Sequence, residues 1–284
     1  MLIKILGIED NPLAILAVLS VTGLLTYFAL SGLFYLLMFV WGRRRFHPDF
    51  VADPAHNRSA RFWGSISILG NATLAVPFHW LLSHGYGNLY WDVDEHGWPW
   101  LVASFGLYLA FTETAVYWVH RALHSDLLYH RLHRHHHQFR VPTPWASTAF
   151  HPLDSFAQAL PHHLCAFLFP VHALLYLLML AFVTLWSVMI HDRVSWIRWK
   201  LINYTGHHTL HHWYYRYNFG QFTTVWDRLA GTYKDPEPAY ADLPAGVVVR
   251  AAGDRPRSPS TRQWADASVH RPDGPPRSVA LESS

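Results

Sequence analysis

Four long apolar stretches limit the folds open to this chain of 284 residues more than any other feature. They run from Leu13 to Trp41, over residues 62–82, over residues 100–119 and from Leu164 to Ile190. A helix needs about 20 apolar residues to cross the hydrocarbon core of a bilayer. Only 14% of the residues are charged, well below the roughly 25% of an average soluble domain. We therefore expect an all-α integral membrane protein with about four transmembrane helices.

The rest of the composition excludes several classes of protein. The single cysteine, Cys165, rules out a disulfide framework and thiolate metal sites. The net charge is only +3, and the basic residues form no stripe with interleaved aromatics, so we expect no nucleic-acid partner. The first apolar stretch is too long and starts too late for a cleavable signal peptide, which predicts a retained anchor.

Three clusters among the 22 histidines have the spacing of metal ligands, and they lie, in chain order, at His120–His124, His133–His137 and His208–His212. Helical residues at i, i+3 and i+4 share a face, so each cluster is expected to aim its imidazoles at one point. His191 joins them because it ends the last apolar stretch at the depth of the clusters. The predicted ligands are His120, His124, His133, His136, His137, His191, His208, His211 and His212. Nine imidazoles exceed the needs of one metal, which indicates two.

The residue types in the clusters narrow the choice of metal. Imidazole suits zinc, copper, iron and nickel. Zinc has no redox chemistry, and a two-zinc hydrolase usually has bridging carboxylates, whereas no Asp or Glu lies at ligand spacing here. Iron is favoured if the site activates oxygen.

Other polar residues are candidates for supporting roles. Glu113 precedes His120 by two helical turns and is predicted to accept a hydrogen bond from a ligand histidine, as metal sites commonly require. Asp192 and Asp227 are further candidates for this orienting role. His151 and His207 are the candidates for an additional ligand.

The charge pattern predicts the topology. Arginines cluster between the first and second stretches, which places residues 43–61 in the cytoplasm and residues 83–99 on the far side. The first two histidine clusters then face the cytoplasm. A single crossing by the last stretch would put His191 and the third cluster on the opposite side. Because Pro170 and His172 interrupt that stretch, we expect a re-entrant helical hairpin over about residues 157–190.

Three regions follow along the chain. Residues 1–99 are predicted to hold the N-terminal transmembrane helices and interfacial loops. Residues 100–235 are predicted to form the metal-binding domain, with a cytoplasmic, histidine-rich helical cap. Residues 236–284 are rich in Pro, Ser and Arg and have too few large apolar residues to offset the entropy of ordering, so we expect a disordered tail.

The motifs around the histidines resemble those of the fatty acid hydroxylase/sterol desaturase superfamily, and most closely its sterol 5-desaturase (lathosterol oxidase) branch. The resemblance covers about residues 105–236. It rests on Tyr117-Trp-Val-His-Arg-Ala-Leu-His124, Leu128-Tyr-His-Arg-Leu-His-Arg-His-His-His137, Val141-Pro-Thr-Pro-Trp-Ala-Ser-Thr-Ala-Phe-His-Pro-Leu-Asp154, Ile190-His-Asp192, His207-His-Thr-Leu-His-His212, Tyr217-Asn-Phe-Gly-Gln-Phe-Thr-Thr-Val-Trp-Asp-Arg228 and Gly231-Thr-Tyr.

The resemblance implies a di-iron oxygenase in the endoplasmic reticulum, or in the inner membrane of a bacterium. It implies two Fe ions held by the same nine histidines and O2 as co-substrate. Electrons would come from NAD(P)H through a separate reductase and a cytochrome b-class or ferredoxin-type carrier. The substrate would be a lipid, most simply a sterol whose ring gains a C=C bond. Ser125 and Thr148 stand where close relatives have histidine, and Ser187 stands where hydroxylases have one.

Other functions stay open at this point. A hydroxylase of a fatty acyl, carotenoid or other lipid would share the site, because the position of the substrate carbon decides between desaturation and hydroxylation. A non-enzymatic metal-binding or transport protein would spread ionisable residues through the spans, whereas here they collect at one depth. A bis-histidine haem protein would place single histidines on facing helices, whereas the histidines here form clusters with i, i+3 and i+4 spacing.

Overall fold

The computed structural model describes residues 3, 6–48 and 50–239 and is built almost wholly from helices. In chain order these are α1 (Pro12–Tyr35), α2 (Arg43–Phe46), α3 (Pro54–Ser83), α4 (Gly97–Leu123), α5 (Asp126–Leu128), α6 (Arg134–His137), α7 (Pro152–Leu168), α8 (Ala173–Ile190), α9 (Thr205–Tyr214), α10 (Val225–Leu229) and α11 (Pro236–Ala239). Wide π-helical turns occupy Leu36–Trp41 and Tyr129–His133, and 3-10 turns occupy Val93–Glu95 and Pro144–Ala146. Two short strands, β1 (Leu89–Tyr90) and β2 (Val171–His172), pair in parallel.

Four helices are long and apolar enough to cross a membrane, which confirms the predicted architecture. They are Pro12–Trp41, Pro54–Ser83, Gly97–Leu123 and Ala173–Ile190. The second and third extend beyond their apolar stretches at both ends. At 1.5 Å per residue, the 18 residues of α8 span about 27 Å, close to the roughly 30 Å of a bilayer core.

Local sequence signals set where the first two spans begin. The Asn11 side chain accepts a hydrogen bond from the backbone N–H of Ala14, and the Asp53 side chain accepts from Ala55 and His56. Each cap is followed by a proline at the first helical position, where its missing N–H costs nothing. Capping and proline together fix the starts of α1 and α3.

The last apolar stretch forms a hairpin, as predicted, but a deeper and longer one. Helix α7 begins at Pro152 rather than near residue 157, and the turn to α8 contains Pro170. Strand β2 in that turn pairs with β1, in the loop between α3 and α4. The Trp100 indole N–H also donates to the Pro170 carbonyl, at 3.0 Å. The hairpin therefore reaches the far end of the spans and returns.

The opposite end of the spans collects the arginine-rich linker and the histidine segments. Phe39, in the π turn after α1, packs with Val194. The His47 Nε2–H donates to the backbone carbonyl of Asp192, with the two atoms 2.9 Å apart. The linker after the first span thus lies against the segment that follows α8. All three histidine clusters and His191 share this end, as the topology argument required.

Close packing of α1 on α3 depends on a glycine. The Tyr27 hydroxyl donates to the Trp145 carbonyl at 2.7 Å. A Cβ on Gly64 would lie 2.6 Å from the Tyr27 hydroxyl oxygen, which is closer than real side-chain contacts. Only glycine therefore lets α3 approach α1 at this point.

The start of the predicted tail is ordered. Pro236–Ala239 form helix α11, and Ala239 packs against Leu210 of α9. The remainder of the predicted tail, residues 240–284, lies outside the described residues.

Candidate metal centre

Nine histidines meet in two adjacent groups where the cap joins the spans. The five-histidine group contains His120, His124, His133, His137 and His211. The four-histidine group contains His136, His191, His208 and His212. Within each group, one nitrogen from every ring lies within 4.8 Å of all the others. These are the nine residues that the sequence predicted as ligands, and no other histidine of the described residues joins either group.

Five elements supply or position these side chains. The C-terminal end of α4 carries His120, and His124 follows directly after it. The π turn before α6, together with α6 itself, carries the second cluster. Such wide turns are frequent at functional sites. His191 directly follows α8, and α9 carries the third cluster.

Helical phase divides the clusters between the groups, which corrects the expectation that each cluster aims at one point. Residues at i and i+4 stay together, in the pairs His120–His124, His133–His137 and His208–His212. The i+3 member of each later cluster, His136 or His211, joins the other group. Successive residues on a helix point about 100° apart, so one helix can serve two centres.

The nitrogens are spaced like the corners of a coordination shell. In the four-histidine group, the Nε2 of His191 lies 3.0 Å from that of His208 and 3.4 Å from that of His136. In the five-histidine group, the Nε2 atoms of His124 and His137 are 3.1 Å apart. Ligands that each sit about 2.0–2.1 Å from a metal, as in zinc sites, are about 2.9–3.4 Å from their neighbours. The spacing therefore fits a metal at each centre.

Hydrogen bonds at Nδ1 fix the orientation of four rings. The Nδ1–H groups of His120, His211 and His191 donate to the backbone carbonyls of Phe219, Tyr217 and Ser187, at 3.0, 2.9 and 2.6 Å respectively. His133 Nδ1 donates to Asp154 Oδ2 at 2.7 Å. A neutral imidazole that donates at Nδ1 has its lone pair at Nε2. The buried Nε2 atoms of His120, His133 and His211 have no hydrogen-bond partner within the described residues, so they are free to bind a metal.

Burial keeps the imidazoles of the four-histidine group neutral. It lowers the pKa of His191 to about 4, and it lowers the pKa values of His136, His208 and His212 well below their usual range. Repulsion from neighbouring histidines acts in the same direction on the last three. Metal binding needs the neutral form, so the site is prepared for it at neutral pH.

Two of the predicted orienting carboxylates hold a loop instead of a ring. We call Phe219–Thr223 the 219–223 loop. Glu113 accepts hydrogen bonds from the backbone N–H groups of Phe222 and Thr223, at 2.7 and 3.0 Å, and from the Thr223 hydroxyl. Asp227 accepts from the N–H groups of Phe219 and Gly220. The prediction that Glu113 contacts a ligand histidine was wrong, because the loop takes up both of its oxygens. Glu113 and Asp227 therefore orient His120 indirectly. They fix the 219–223 loop, and the Phe219 carbonyl of that loop accepts the hydrogen bond from His120.

Asp192 caps a turn rather than orienting a ring. Its Oδ1 accepts from the backbone N–H of Val194 at 2.7 Å. Burial raises the pKa of this carboxyl to about 8. Asp192 is connected to the site by its peptide bond to the ligand candidate His191, which it directly follows.

Asp154 is the carboxylate that does orient a ligand histidine, and sequence reasoning missed it. Its two oxygens accept from His133 Nδ1 and, at 2.8 Å, from Gln158 Nε2. Asp154 and His133 are both fully buried. The available signal was an acid in the first turn of α7, within the motif that ends at Asp154.

The two further ligand candidates lie outside both groups. His151 is the N-terminal cap of α7, where its Nδ1 accepts from the Leu153 N–H. His207 is fully buried, with its Nε2 3.5 Å from the Tyr233 hydroxyl. Neither is brought to the ligand nitrogens.

Comparisons with known proteins agree with this geometry. The fatty acid hydroxylase family matches residues 105–232. The chain is 39% identical over 226 residues to the Delta(7)-sterol 5(6)-desaturase of Aspergillus fumigatus, covering 79% of this chain and 63% of the relative. It is 39% identical over 234 residues to the enzyme of that name from Candida albicans, covering 81% and 60%. It is also 39% identical over 249 residues to human lathosterol oxidase, covering 84% and 80%.

The lengths of these relatives differ from that of the chain. The chain spans about three fifths of the length of the fungal relatives. No solved structure matches the chain.

Proposed function

The chain belongs to the fatty acid hydroxylase family, and from that premise we propose that it is a membrane oxidoreductase that introduces a C=C bond into a sterol ring. The observation that carries the proposal is the pair of histidine groups at one end of the spans. The relatives named as sterol desaturases and lathosterol oxidase support the reaction and the substrate class.

The donor set supports two iron ions as the cofactor, with the nine histidines as ligands. All the ligand atoms are imidazole nitrogens, which suit iron. Bound there, two iron ions would supply the one-electron chemistry that lets O2 attack an unactivated C–H bond.

The protein's own part is to orient and to shield. Backbone carbonyls and Asp154 hold four rings by their Nδ1–H groups, so that the Nε2 lone pairs point inward. Eight of the nine ligand histidines are buried, which limits access of water to the centre. The spans end directly at the site, so a lipid can approach from the bilayer without entering water.

The electrons are proposed to come from NAD(P)H through a separate reductase and a cytochrome b-class or ferredoxin-type carrier. Such a carrier is soluble or peripheral and needs access to the histidine end of the spans. That end also carries the arginine-rich linker of residues 43–61. The positive-inside rule then supports a cytoplasmic position for this end, in the endoplasmic reticulum or a bacterial inner membrane.

Product analysis of the reconstituted enzyme tests the proposal. Protein produced with ample iron would be supplied with O2, NADPH, a reductase, cytochrome b and a 7-unsaturated 3-hydroxysterol. We expect about two irons per chain and a 5,7-diene product by mass spectrometry. His136→Ala should abolish the product, whereas the matched variant His207→Ala should retain it, because His207 is outside both groups.

Three results would contradict the proposal. An alcohol product instead of a diene would assign a hydroxylase. Oxidation of fatty acyl or carotenoid substrates, with sterols left unchanged, would assign a different substrate class. Fewer than one metal per chain, with no oxygen consumption, would remove the enzyme assignment altogether.

A further inference from the structure

A chain of hydrogen bonds leads from the 219–223 loop into the membrane-spanning bundle. Gln221 Nε2 lies 3.3 Å from His162 Nε2, and His162 Nδ1 lies 3.0 Å from the Tyr108 hydroxyl. His162 is 3% exposed and Tyr108 is fully buried. Polar groups at this depth are costly unless they are paired. The three side chains pair with one another and hold the Gln221 amide in place.

One polar atom of the Gln221 side-chain amide has no hydrogen-bond partner among the described residues. Its buried Oε1 has no hydrogen-bond partner among the residues that the structure describes. A neutral imidazole has one donor and one acceptor, so His162 engages only one atom of the amide. If the amide is turned, the remaining atom is the NH2 group instead. A hydroxyl can donate or accept, so it satisfies the remaining atom in either orientation.

The backbone around Gln221 is fixed from several sides. The Trp186 indole N–H donates to the Gln221 carbonyl at 2.9 Å. On either side, Asp227 holds the N–H of Gly220 and Glu113 holds that of Phe222. A side chain on a loop held this firmly is preorganised for a ligand, because little entropy is lost on binding.

Gln221 also lies close to the five-histidine group. It is two residues from Phe219, a separation of at most about 7 Å along the chain. The Phe219 carbonyl accepts a hydrogen bond from His120 Nδ1. The centre of the Phe219 ring lies 5.0 Å from the centre of the His124 ring and 5.4 Å from that of the His211 ring. A hydroxyl bound at Gln221 would therefore lie near the five-histidine group.

We propose that Gln221, supported by His162 and Tyr108, binds the 3-hydroxyl group of a sterol substrate. This inference rests on the proposed function. In a 3-hydroxysterol, the carbon that carries the hydroxyl is two bonds from ring carbon 5, where the double bond forms. The residue that binds the hydroxyl must therefore lie close to the metal site where the ring is oxidised. Gln221 lies at such a place, beside the five-histidine group. An ordinary fatty acyl chain has no hydroxyl near the carbon to be oxidised.

A neighbouring pair of residues provides a matched control. His163 Nδ1 lies 3.0 Å from the Tyr176 hydroxyl, between α7 and α8. This pair resembles His162 and Tyr108 in chemistry and burial. Its hydrogen bond stays within the hairpin and does not reach the 219–223 loop. Tyr176→Phe therefore removes a similar buried hydroxyl away from Gln221.

Sterol binding to the full protein in lipid nanodiscs tests the inference. A tritiated 7-unsaturated 3-hydroxysterol is displaced by the unlabelled sterol or by its 3-deoxy analogue. We expect the wild-type protein to bind the hydroxysterol about tenfold or more tightly than the analogue, as for a buried hydrogen bond left unmade. Gln221→Met should lose that preference and keep its affinity for the analogue. Tyr176→Phe should keep both affinities.

The outcomes separate this inference from the proposed function. Equal wild-type affinities for the two sterols would overturn the inference, and so would a Gln221→Met variant that weakens both equally. If that variant loses its metal, Tyr108→Phe replaces it, because it removes the hydroxyl that supports His162 beside Gln221. An unchanged preference of Tyr108→Phe for the hydroxysterol would then overturn the inference. A wild-type enzyme that forms the diene without discriminating between the sterols refutes the inference alone. A wild-type enzyme that neither binds nor oxidises sterols refutes both.

Discussion

Replacing Asp154 by asparagine isolates the role of the buried carboxylate beside His133. Asp154 accepts from two donors, His133 Nδ1 at 2.7 Å and Gln158 Nε2 at 2.8 Å. An asparagine has one acceptor oxygen and one NH2 group. The asparagine NH2 group then faces either the His133 Nδ1–H or the Gln158 NH2 group, and two hydrogen-bond donors meet at that contact. If the NH2 faces His133, the ring must move its proton to Nε2 and loses the lone pair that points into the five-histidine group.

The expected cost is a 10- to 100-fold loss of metal affinity at the five-histidine group, the range for partners of ligand histidines. That range corresponds to about 1.4–2.7 kcal/mol. Both residues are fully buried, so solvent cannot replace the lost partner, and the upper half of the range is expected. The four-histidine group should be affected less, because it does not contain His133.

Titration of Co2+ or Fe2+ into metal-free protein, in competition with a chelator, measures this loss. The double variant Asp154→Asn/Gln158→Glu is the matched rescue. Its new glutamate accepts from the NH2 group of the new asparagine, which turns the amide oxygen back toward His133, so most of the affinity should return. Wild-type affinity in the single variant would refute the reasoning. An equal loss at both groups, or a failed rescue in a folded double variant, would also refute it.

Three further predictions follow from the geometry. His191→Ala should lose about one of two bound metals per chain by elemental analysis, whereas His207→Ala should keep both; equal losses would contradict the grouping. Glu113→Gln leaves one acceptor oxygen for three donors, so unfolding should cost about 1–3 kcal/mol less. Hydrogen exchange at the Phe222 and Thr223 amides should also be faster, and unchanged exchange would contradict this role. Lowering the pH from 7 to 5 should destabilise the metal-free protein, because histidines of the unfolded chain take up protons near pH 6.5 while burial holds the pKa of His191 near 4. The unfolded state then binds more protons throughout that window, so the free energy of unfolding decreases as the pH is lowered; a thermal midpoint in detergent that stays constant or rises would contradict the assignment.

The spans and the histidine set could be predicted because they depend on local periodicity. Apolar length identified the spanning helices, and ligand spacing identified eight of the nine histidines that meet in the two groups. The ninth, His191, was identified by its place at the end of the last apolar stretch. The hairpin could be predicted only by combining the two signals. Hydropathy alone reads Leu164 to Ile190 as one crossing, whereas a shared site requires the chain to return.

The orienting contacts could not be predicted because they join distant parts of the chain. Asp154 lies 21 residues from His133, with no helical phase relating the two. Glu113 does precede His120 by two helical turns, but the 219–223 loop, more than 100 residues later, takes its oxygens. The same loop brings Gln221 to His162. Such contacts arise from packing between elements, which spacing within one helix does not encode.

The division of neighbouring histidines between the groups has a consequence for how the site fills. His136 and His137 are joined by a peptide bond, as are His211 and His212, and each pair contributes to both groups. The separation of the two centres is thus set by the covalent geometry of α6 and α9, and no carboxylate of the described part of the chain belongs to either group. Ordering either helix around one metal also positions ligands for the other, which links the two binding equilibria. Metal bound in one group should therefore raise the affinity of the other group for its own metal.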